Sequence, residues 1–246
     1  MRRELYLNWS ISTMRAARTV SVLALFLLPW QAYGQQEYVG RYDVYVGYAY
    51  LNTPMLNLTS NGVHAQAAVR VRSWLSMGFD FTGAPGNGVL TPGILTTSLQ
   101  QSLGAQLQQL AAHGLLPPNY VLSLPFGSST QTFEAGPDFV YRGLRAVSLF
   151  ARPDLGAVRQ VATPHPTDPI ATAIVEQLAP SGKKTDWQYF YGFGGGASIN
   201  VTHHLTINVQ VDVVRDHLFS DLLQNGRWTV RCAIGPSWQW GRNMMK

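Results

Sequence analysis

The sequence is poor in charge, has a single cysteine and contains no long hydrophobic run. Asp, Glu, Lys and Arg together make up 13% of the chain, about half the charged fraction of an average soluble domain. Because Cys232 is the only cysteine, a disulfide within the chain is excluded. A transmembrane helix needs about 18 or more consecutive apolar residues, and the sequence has no such stretch. Its apolar residues, 46% of the total, are instead spread along the chain.

The N-terminus has the three-part layout of a secretory signal peptide. An arginine-rich lead precedes an apolar core at residues 20–30, and the small residues at 32 and 34 suit cleavage before Gln35. We therefore predict that residues 1–34 are a signal peptide and residues 38–241 the exported domain; a buried N-terminal helix is the alternative. The signal carries most of the excess positive charge, so the net charge of +5 does not indicate a nucleic-acid partner.

The C-terminal segment shows the period-two pattern of a strand with two chemically different faces. From Trp228 to Trp240 every even position is apolar. Tryptophan stands at both ends of this apolar face, as in a strand that meets two membrane–water interfaces. The same alternation recurs in eight segments, which we predict to be strands: 41–52, 62–73, 74–83, 130–141, 146–158, 186–200, 205–215 and 228–240.

The connections between these strands alternate in length. Short turns follow the second, fourth and sixth strands, and longer loops follow the first, third, fifth and seventh. Outer-membrane barrels have short periplasmic turns and longer extracellular loops. In the second long loop, leucines three or four residues apart predict an amphipathic helix over residues 92–114. We predict an all-β fold: an eight-stranded antiparallel up-and-down transmembrane β-barrel with a helical insertion in the second extracellular loop.

Small residues on the other face of the strands indicate that this face lines the lumen. A water-facing surface would be rich in Lys, Glu and Thr, whereas no predicted strand contains lysine. Small side chains suit the crowded interior of an eight-stranded barrel. A soluble barrel with an apolar lumen is the alternative. The small residues on this face are Gly47, Ala49, Gly78, Gly136, Gly156, Gly192, Gly194, Gly196 and Gly235.

The same face carries charges of both signs. We predict that they form a network in the lumen, because buried charges are tolerated when they are paired and hydrogen-bonded. Counting from the turns places Glu134 roughly level with Arg152, and Asp212 beside Arg231 toward the loop end. We interpret the network as structural, since eight strands leave no aqueous channel; a narrow ion or small-solute pore is the alternative. Its predicted members are Asp43, Arg70, Arg72, Asp80, Glu134, Asp138, Arg152, Asp154, Asp212 and Arg231.

Three motifs stand out at residues 45–50, 74–83 and 210–212. With their order and spacing, the chain resembles bacterial outer-membrane β-barrel domain proteins of the OmpA/OmpX-like, opacity-type superfamily over about residues 38–241. The resemblance implies the cell outer membrane as location and its lipid as a partner. It also implies recognition by the barrel-assembly machinery through a signal in the last strand, formed by Gly235, Trp238 and Trp240.

The sequence indicates no catalytic, metal or cofactor site. His64 and Asp80 are the candidates for a lipid-modifying barrel enzyme, which is the less favoured alternative, but no spacing links them to a nucleophile. His203 and His204 adjoin in a turn without further metal ligands. We therefore predict that the protein is not an enzyme and needs no cofactor.

The long loops are the expected place of function, because binding residues concentrate on loops that a rigid scaffold holds. We predict a structural or surface-interaction role, in adhesion or envelope integrity. An extracellular ligand is expected to contact residues 84–129 and 159–185, where Lys183 and Lys184 are the candidates for touching lipid phosphates.

Overall fold

A computed structural model describes residues 38–117, 119–144 and 146–245, so the predicted signal peptide, residues 1–34, lies outside the described residues. Eight antiparallel strands pair in sequence order, and pairing of the first with the last closes them into a barrel. The predicted fold is confirmed. The strands are β1 Tyr42–Thr53, β2 Leu58–Arg72, β3 Leu75–Leu90, β4 Leu124–Tyr141, β5 Val147–Pro164, β6 Lys184–Asn200, β7 Leu205–Asp216 and β8 Arg227–Trp240.

The strands end close to the predicted residues at one end of the barrel, the turn end, and run further than predicted at the other, the loop end. At the loop end β3 continues to Leu90, β4 begins at Leu124 and β5 continues to Pro164. These extensions are rich in Gly, Pro, Ser and Thr, which pair in the ladder without an apolar alternation. The extension of β6 begins with Lys184, so the strands are not free of lysine.

The first connection at the loop end corrects the predicted alternation of loop lengths. β1 and β2 remain paired up to Thr53 and Leu58, and a single 3-10 turn at Pro54–Leu56 joins them. This connection is as short as the turns at the opposite end. The other three connections at the loop end are long, and we call them together the loop cap, which comprises residues 91–123, 165–183 and 217–226.

Two helices lie in the loop cap. Helix α1, Thr97–Ala112, falls within the predicted range 92–114. Helix α2, Pro169–Leu178, begins after Asp168, whose Oδ1 accepts a hydrogen bond from the backbone N–H of Ala171 at 2.8 Å. This side-chain cap satisfies one of the free N–H groups of the first turn. In the part of the chain that the structure describes, no helix has both the length and the hydropathy of a membrane span.

The apolar face of the strands points outward, as predicted. On β7 the side chains of Val209 and Val211 are 38% and 46% exposed, whereas Asp212 is 0% exposed. Aromatic side chains form two exposed girdles: Tyr42, Trp74, Tyr141, Trp238 and Trp240 near the turn end, and Trp187, Tyr189 and Trp228 near the loop end. An apolar wall between aromatic girdles is the outer surface of a barrel in lipid, so the chain is a transmembrane barrel.

The interior changes character along the barrel axis. The half nearer the turn end is polar and charged, whereas the loop-end half encloses an apolar core that includes Leu58, Phe126, Phe190 and Leu218. A second apolar cluster, around Leu103 and Ile174, packs the two helices of the loop cap onto the strands. Three layers therefore follow one another from the loop end: the packed loop cap, the apolar core and the charged lumen.

Candidate functional site

Arg152 of β5 lies at the centre of the charged lumen. Its side chain is nearly fully buried and contacts carboxylates from three other strands. Its guanidinium pairs with Asp80 of β3, with Glu134 of β4 at 3.3 Å, with Asp154 of its own strand at 2.9 Å and with Asp212 of β7 at 3.3 Å. Buried charges require this kind of mutual pairing.

Arg231 of β8 is the second cation of the network. Its Nε donates to Asp212 Oδ2 at 2.7 Å, and its Nη2 donates to Glu134 Oε2 at 2.7 Å. Arg231 and Arg152 therefore share the same two carboxylates. The network joins five of the eight strands, β3, β4, β5, β7 and β8, by direct ion pairs.

The remaining strands fill the rest of the cross-section. From β2, His64 is fully buried, and its Nδ1 is hydrogen-bonded to Thr82 Oγ1 at 2.8 Å. The Tyr45 ring of β1 packs 5.3 Å from the His64 ring. On β6, Gly194 leaves the space that the charges occupy, because a Cβ there would overlap Asp212 Oδ1. All eight strands thus contribute to a packed layer across the lumen.

The register of β4 and β5 corrects one predicted pairing. Glu134 lies opposite Gly156, not level with Arg152. The turn between these strands is centred near residue 145, two residues further along the chain than predicted, and this shifts the register by four residues. Arg152 still contacts Glu134, because its long side chain extends along the lumen. Asp212 and Arg231, in contrast, are direct cross-strand partners.

Other members of the predicted network lie nearer the turn end. Asp43 pairs with Arg70 at 2.9 Å. Asp138 is buried and accepts hydrogen bonds from Gln66 and Ser76, each at 3.4 Å. These contacts form a polar layer separate from the central one.

Arg72 is exposed at the end of β2 and does not face the lumen. The β2–β3 ladder shifts its register between Arg70 and Arg72. Such an irregularity breaks the strict alternation of faces. A prediction from alternation alone therefore assigns Arg72 to the wrong side.

Sequence reasoning missed one buried ion pair at the loop end. Arg227 Nε of β8 donates to Asp216 Oδ1 of β7 at 2.7 Å, and both side chains are buried. Both residues lie one position beyond the predicted strands. Asp216 and Arg227 are each four residues from Asp212 and Arg231, so the two-residue period places them on the same inner face. A strand prediction one residue longer would have included them.

The residues of the predicted assembly signal lie on β8 beside the closing strand β1. Trp238 and Trp240 are exposed on the outer face, and Gly235 lies where an added Cβ would overlap Gly47 of β1. In the neighbouring turn His204 stacks on Trp238 at 5.6 Å. In the described ranges, no group of three or more His, Cys, Asp and Glu side chains is arranged to hold a metal ion.

Hydrogen bonds fasten the segments of the loop cap to one another. Tyr120 Oη donates to Asp168 Oδ1 and Oδ2 at 3.0 and 3.1 Å, which joins the β3–β4 and β5–β6 connections. Burial and the neighbouring Asp168 carboxylate raise the pKa of Tyr120 to about 12. A short bridge between Leu95 and Leu223 joins the first of these connections to the third. The loop cap is therefore one connected unit.

The first connection of the loop cap, residues 91–123, is unusually neutral. Residues 81–133 contain no Asp, Glu, Lys or Arg. The exposed positions of α1 carry glutamine, serine and alanine, and two large apolar side chains near it, Leu115 and Val121, are strongly exposed. On the third connection, Asp221 pairs with Lys184 at the start of β6.

Comparison with solved structures gives matches of low sequence identity. Ail, the attachment invasion locus protein of Yersinia pestis, is 10% identical, with 81% of this chain and 97% of that chain covered and a TM-score of 0.44. Neisserial surface protein A is 8% identical, with coverages of 81% and 96% and a TM-score of 0.48. The outer membrane protein OprG from Pseudomonas aeruginosa is 9% identical, with coverages of 83% and 98% and a TM-score of 0.46.

No family model matches the chain, and no curated protein matches it. The closed ladder and the apolar wall define the fold without these matches. Closed single-chain barrels with such a wall and an even number of strands are typical of the bacterial outer membrane, which is the location of this protein.

Proposed function

We propose that this outer-membrane barrel is a surface-interaction protein, which acts through the loop cap and not by conduction or catalysis. The supporting observation is the packed layer at mid-lumen. Arg152, Arg231 and their carboxylates occupy the cross-section, and Gly194 of β6 accommodates them. An eight-stranded barrel has room for such side chains but not for a water channel in addition.

The candidate enzyme residues lie inside this layer. His64 is fully buried and hydrogen-bonded to Thr82, and Asp80 is buried against Arg152. The apolar core of the loop-end half lies between them and the loop end. A substrate arriving from the loop end would have to displace that core, so the geometry favours a structural role for both residues.

The neutral, partly apolar first connection of the loop cap favours contact with apolar surfaces. Contiguous exposed apolar surface with a polar rim marks interaction sites. Leu115 and Val121 are the anchors we assign, because they project from the connection that is fixed by Tyr120. The barrel orientation typical of outer membranes places these long loops outside the cell.

The test is adhesion of bacterial cells that carry the full chain to polystyrene particles. The double variant Leu115→Glu/Val121→Glu is expected to lower adhesion several-fold at equal surface display. The control Ser102→Glu/Gln109→Glu adds the same charge to exposed positions of the same loop and is expected to keep most of the adhesion. Equal adhesion of both variants, at the wild-type or at a lowered level, would overturn the assignment.

A further inference from the structure

An apolar pocket lies under the loop cap, inside the loop-end half of the barrel. Its empty space, including the part that opens to solvent, is about 610 Å³. The wall consists mainly of leucine, phenylalanine and alanine side chains, among them Leu124, Phe126, Leu178, Phe219 and Leu222. Such a wall suits a hydrocarbon chain. The pocket lies beneath the outer face of the loop cap and is independent of the surface role proposed above.

Gln160 supplies a polar group to this otherwise apolar wall. Its side chain is 0% exposed, and its Nε2 donates to Ser128 Oγ at 2.5 Å. The other end of its amide, Oε1, has no hydrogen-bond partner among the described residues. A buried acceptor without a donor is unfavourable. When the amide turns over, Oε1 accepts from the Ser128 hydroxyl and Nε2 becomes free to donate to a ligand carboxylate.

Lys184 supplies a positive charge to the same wall. In the β5–β6 ladder Lys184 pairs with Ala162, while Gln160 pairs with Asp186 two residues away. Residues two apart in a strand share a face, and diagonal neighbours of this kind are about 7–8 Å apart. The two residues therefore lie on the same inward face of neighbouring strands, and both line the pocket.

Asp221 is the present partner of Lys184 and marks where the pocket reaches solvent. The Asp221 side chain is 62% exposed and that of Lys184 26% exposed. An exposed ion pair of this kind contributes little stability. A ligand carboxylate can thus replace Asp221 at Lys184 while its chain enters between the leucines.

From these groups we propose that the pocket binds a free fatty acid. The hydrocarbon chain would lie along Leu124, Phe126 and Phe219, and the ionised carboxylate would accept from the Lys184 ammonium group and from the turned Gln160 amide. A fatty alcohol shares the chain and a hydrogen-bonding head group but not the charge. An alkylammonium ion shares only the chain and is repelled by Lys184, so these two compounds separate the contributions of head and tail.

The test uses the full mature chain in lipid nanodiscs and dodecanoic acid that carries a photoreactive diazirine near its tail end. After irradiation, mass spectrometry is expected to locate labels on the pocket segments 122–126, 175–179 and 218–223. Unlabelled dodecanoic acid should compete well, dodecanol weakly and dodecylammonium poorly. Labels confined to the outer, lipid-facing wall would overturn the proposal.

Three variants test the head-group site. Lys184→Met, which keeps the apolar stem, is expected to lower pocket labelling at least fivefold. Asp221→Asn, which frees Lys184, is expected to raise it several-fold, an effect that a loss of folding cannot produce. Lys183→Met, at an exposed neighbouring lysine, is the matched control and should label like the wild type. Equal labelling of all three variants would contradict the assignment of Lys184.

Discussion

Arg152 of β5 and Asp212 of β7 form an ion pair of 3.3 Å although strand β6 lies between them. Gly194 is the cross-strand partner of both residues. Because glycine has no side chain, the two charges meet over it inside the lumen. Arg231 continues the row as the partner of Asp212 on β8. The glycine on β6 is thus as important for the closed lumen as the charges themselves.

Gly194→Ala is expected to destabilise the barrel by about 1–3 kcal/mol, the usual cost of overpacking a close-packed interior. An added Cβ would overlap Asp212 Oδ1 and would lie 2.9 Å from Asp154 Oδ2. Equilibrium unfolding of the protein in lipid vesicles by urea measures the change. Gly104→Ala in α1 is the control, since nothing lies within 4 Å of its Cβ position. A Gly194→Ala barrel as stable as the control would contradict the account of β6.

Arg231→Met is expected to cost about 3–5 kcal/mol of unfolding free energy, because it leaves Asp212 and Glu134 buried with a single shared cation. Equilibrium unfolding by urea in lipid vesicles measures this change in free energy. Arg72→Met, at the exposed arginine of β2, should change stability by less than about 0.5 kcal/mol. Equal effects of the two substitutions would show that the central network does not stabilise the barrel.

Val211→Arg tests the membrane-facing wall. Val211 lies near the middle of β7 and is exposed on the apolar face. An arginine there is expected to cost about 2–4 kcal/mol, the value for the bilayer midplane, against about 0–1 kcal/mol near an interface. Val71→Arg, at the turn end of β2 beside Arg72, is the matched control. If both variants unfold at the same urea concentration in vesicles, the two positions do not differ in membrane depth.

Tyr120→Phe is expected to loosen the loop cap while the barrel stays folded. The substitution removes the hydrogen bonds to Asp168 that join two long connections. Limited proteolysis with subtilisin at neutral pH should cut within residues 113–123 several-fold faster than in the wild type. Tyr189→Phe, on the exposed outer wall, is the control and should leave the cutting rate unchanged.

The hydrogen bonds from Tyr120 to Asp168 make the loop cap sensitive to alkali. The fold raises the pKa of Tyr120 from its usual value near 10 to about 12. The neutral phenol is therefore the stabilised form, so its contribution is complete below about pH 10 and is lost as the pH rises through about 12. The phenolate absorbance of the wild type minus that of Tyr120→Phe gives the titration. A midpoint at or below pH 10 would contradict the contact.

The sequence alone predicted the barrel because each strand repeats a two-residue period. In β7, for example, Val209 and Val211 on one face and Asp212 on the other identify the outside and the inside. The loop ends were harder to predict. Segments such as residues 84–89 consist mostly of small residues with one proline, and their pairing comes from the neighbouring strand and not from an apolar pattern.

The composition of the charged site could be predicted, but not its full geometry. Alternation identified Arg152, Arg231 and their carboxylates as inward-facing. Their contacts depend on the register across several strands, and a turn displaced by two residues was enough to misplace Glu134. The bulge before Arg72 broke the alternation itself. The pocket under the loop cap also escaped prediction, because it is built from segments far apart in the sequence.

The closed lumen is the central claim, and planar-bilayer recording of the refolded chain, without the predicted signal peptide, tests it most directly. The packed layer around Arg152 predicts no discrete current steps above those of the bare bilayer. Reproducible unitary steps from the wild-type protein, with a size that shifts in Arg152→Ala or Arg231→Ala, would contradict it.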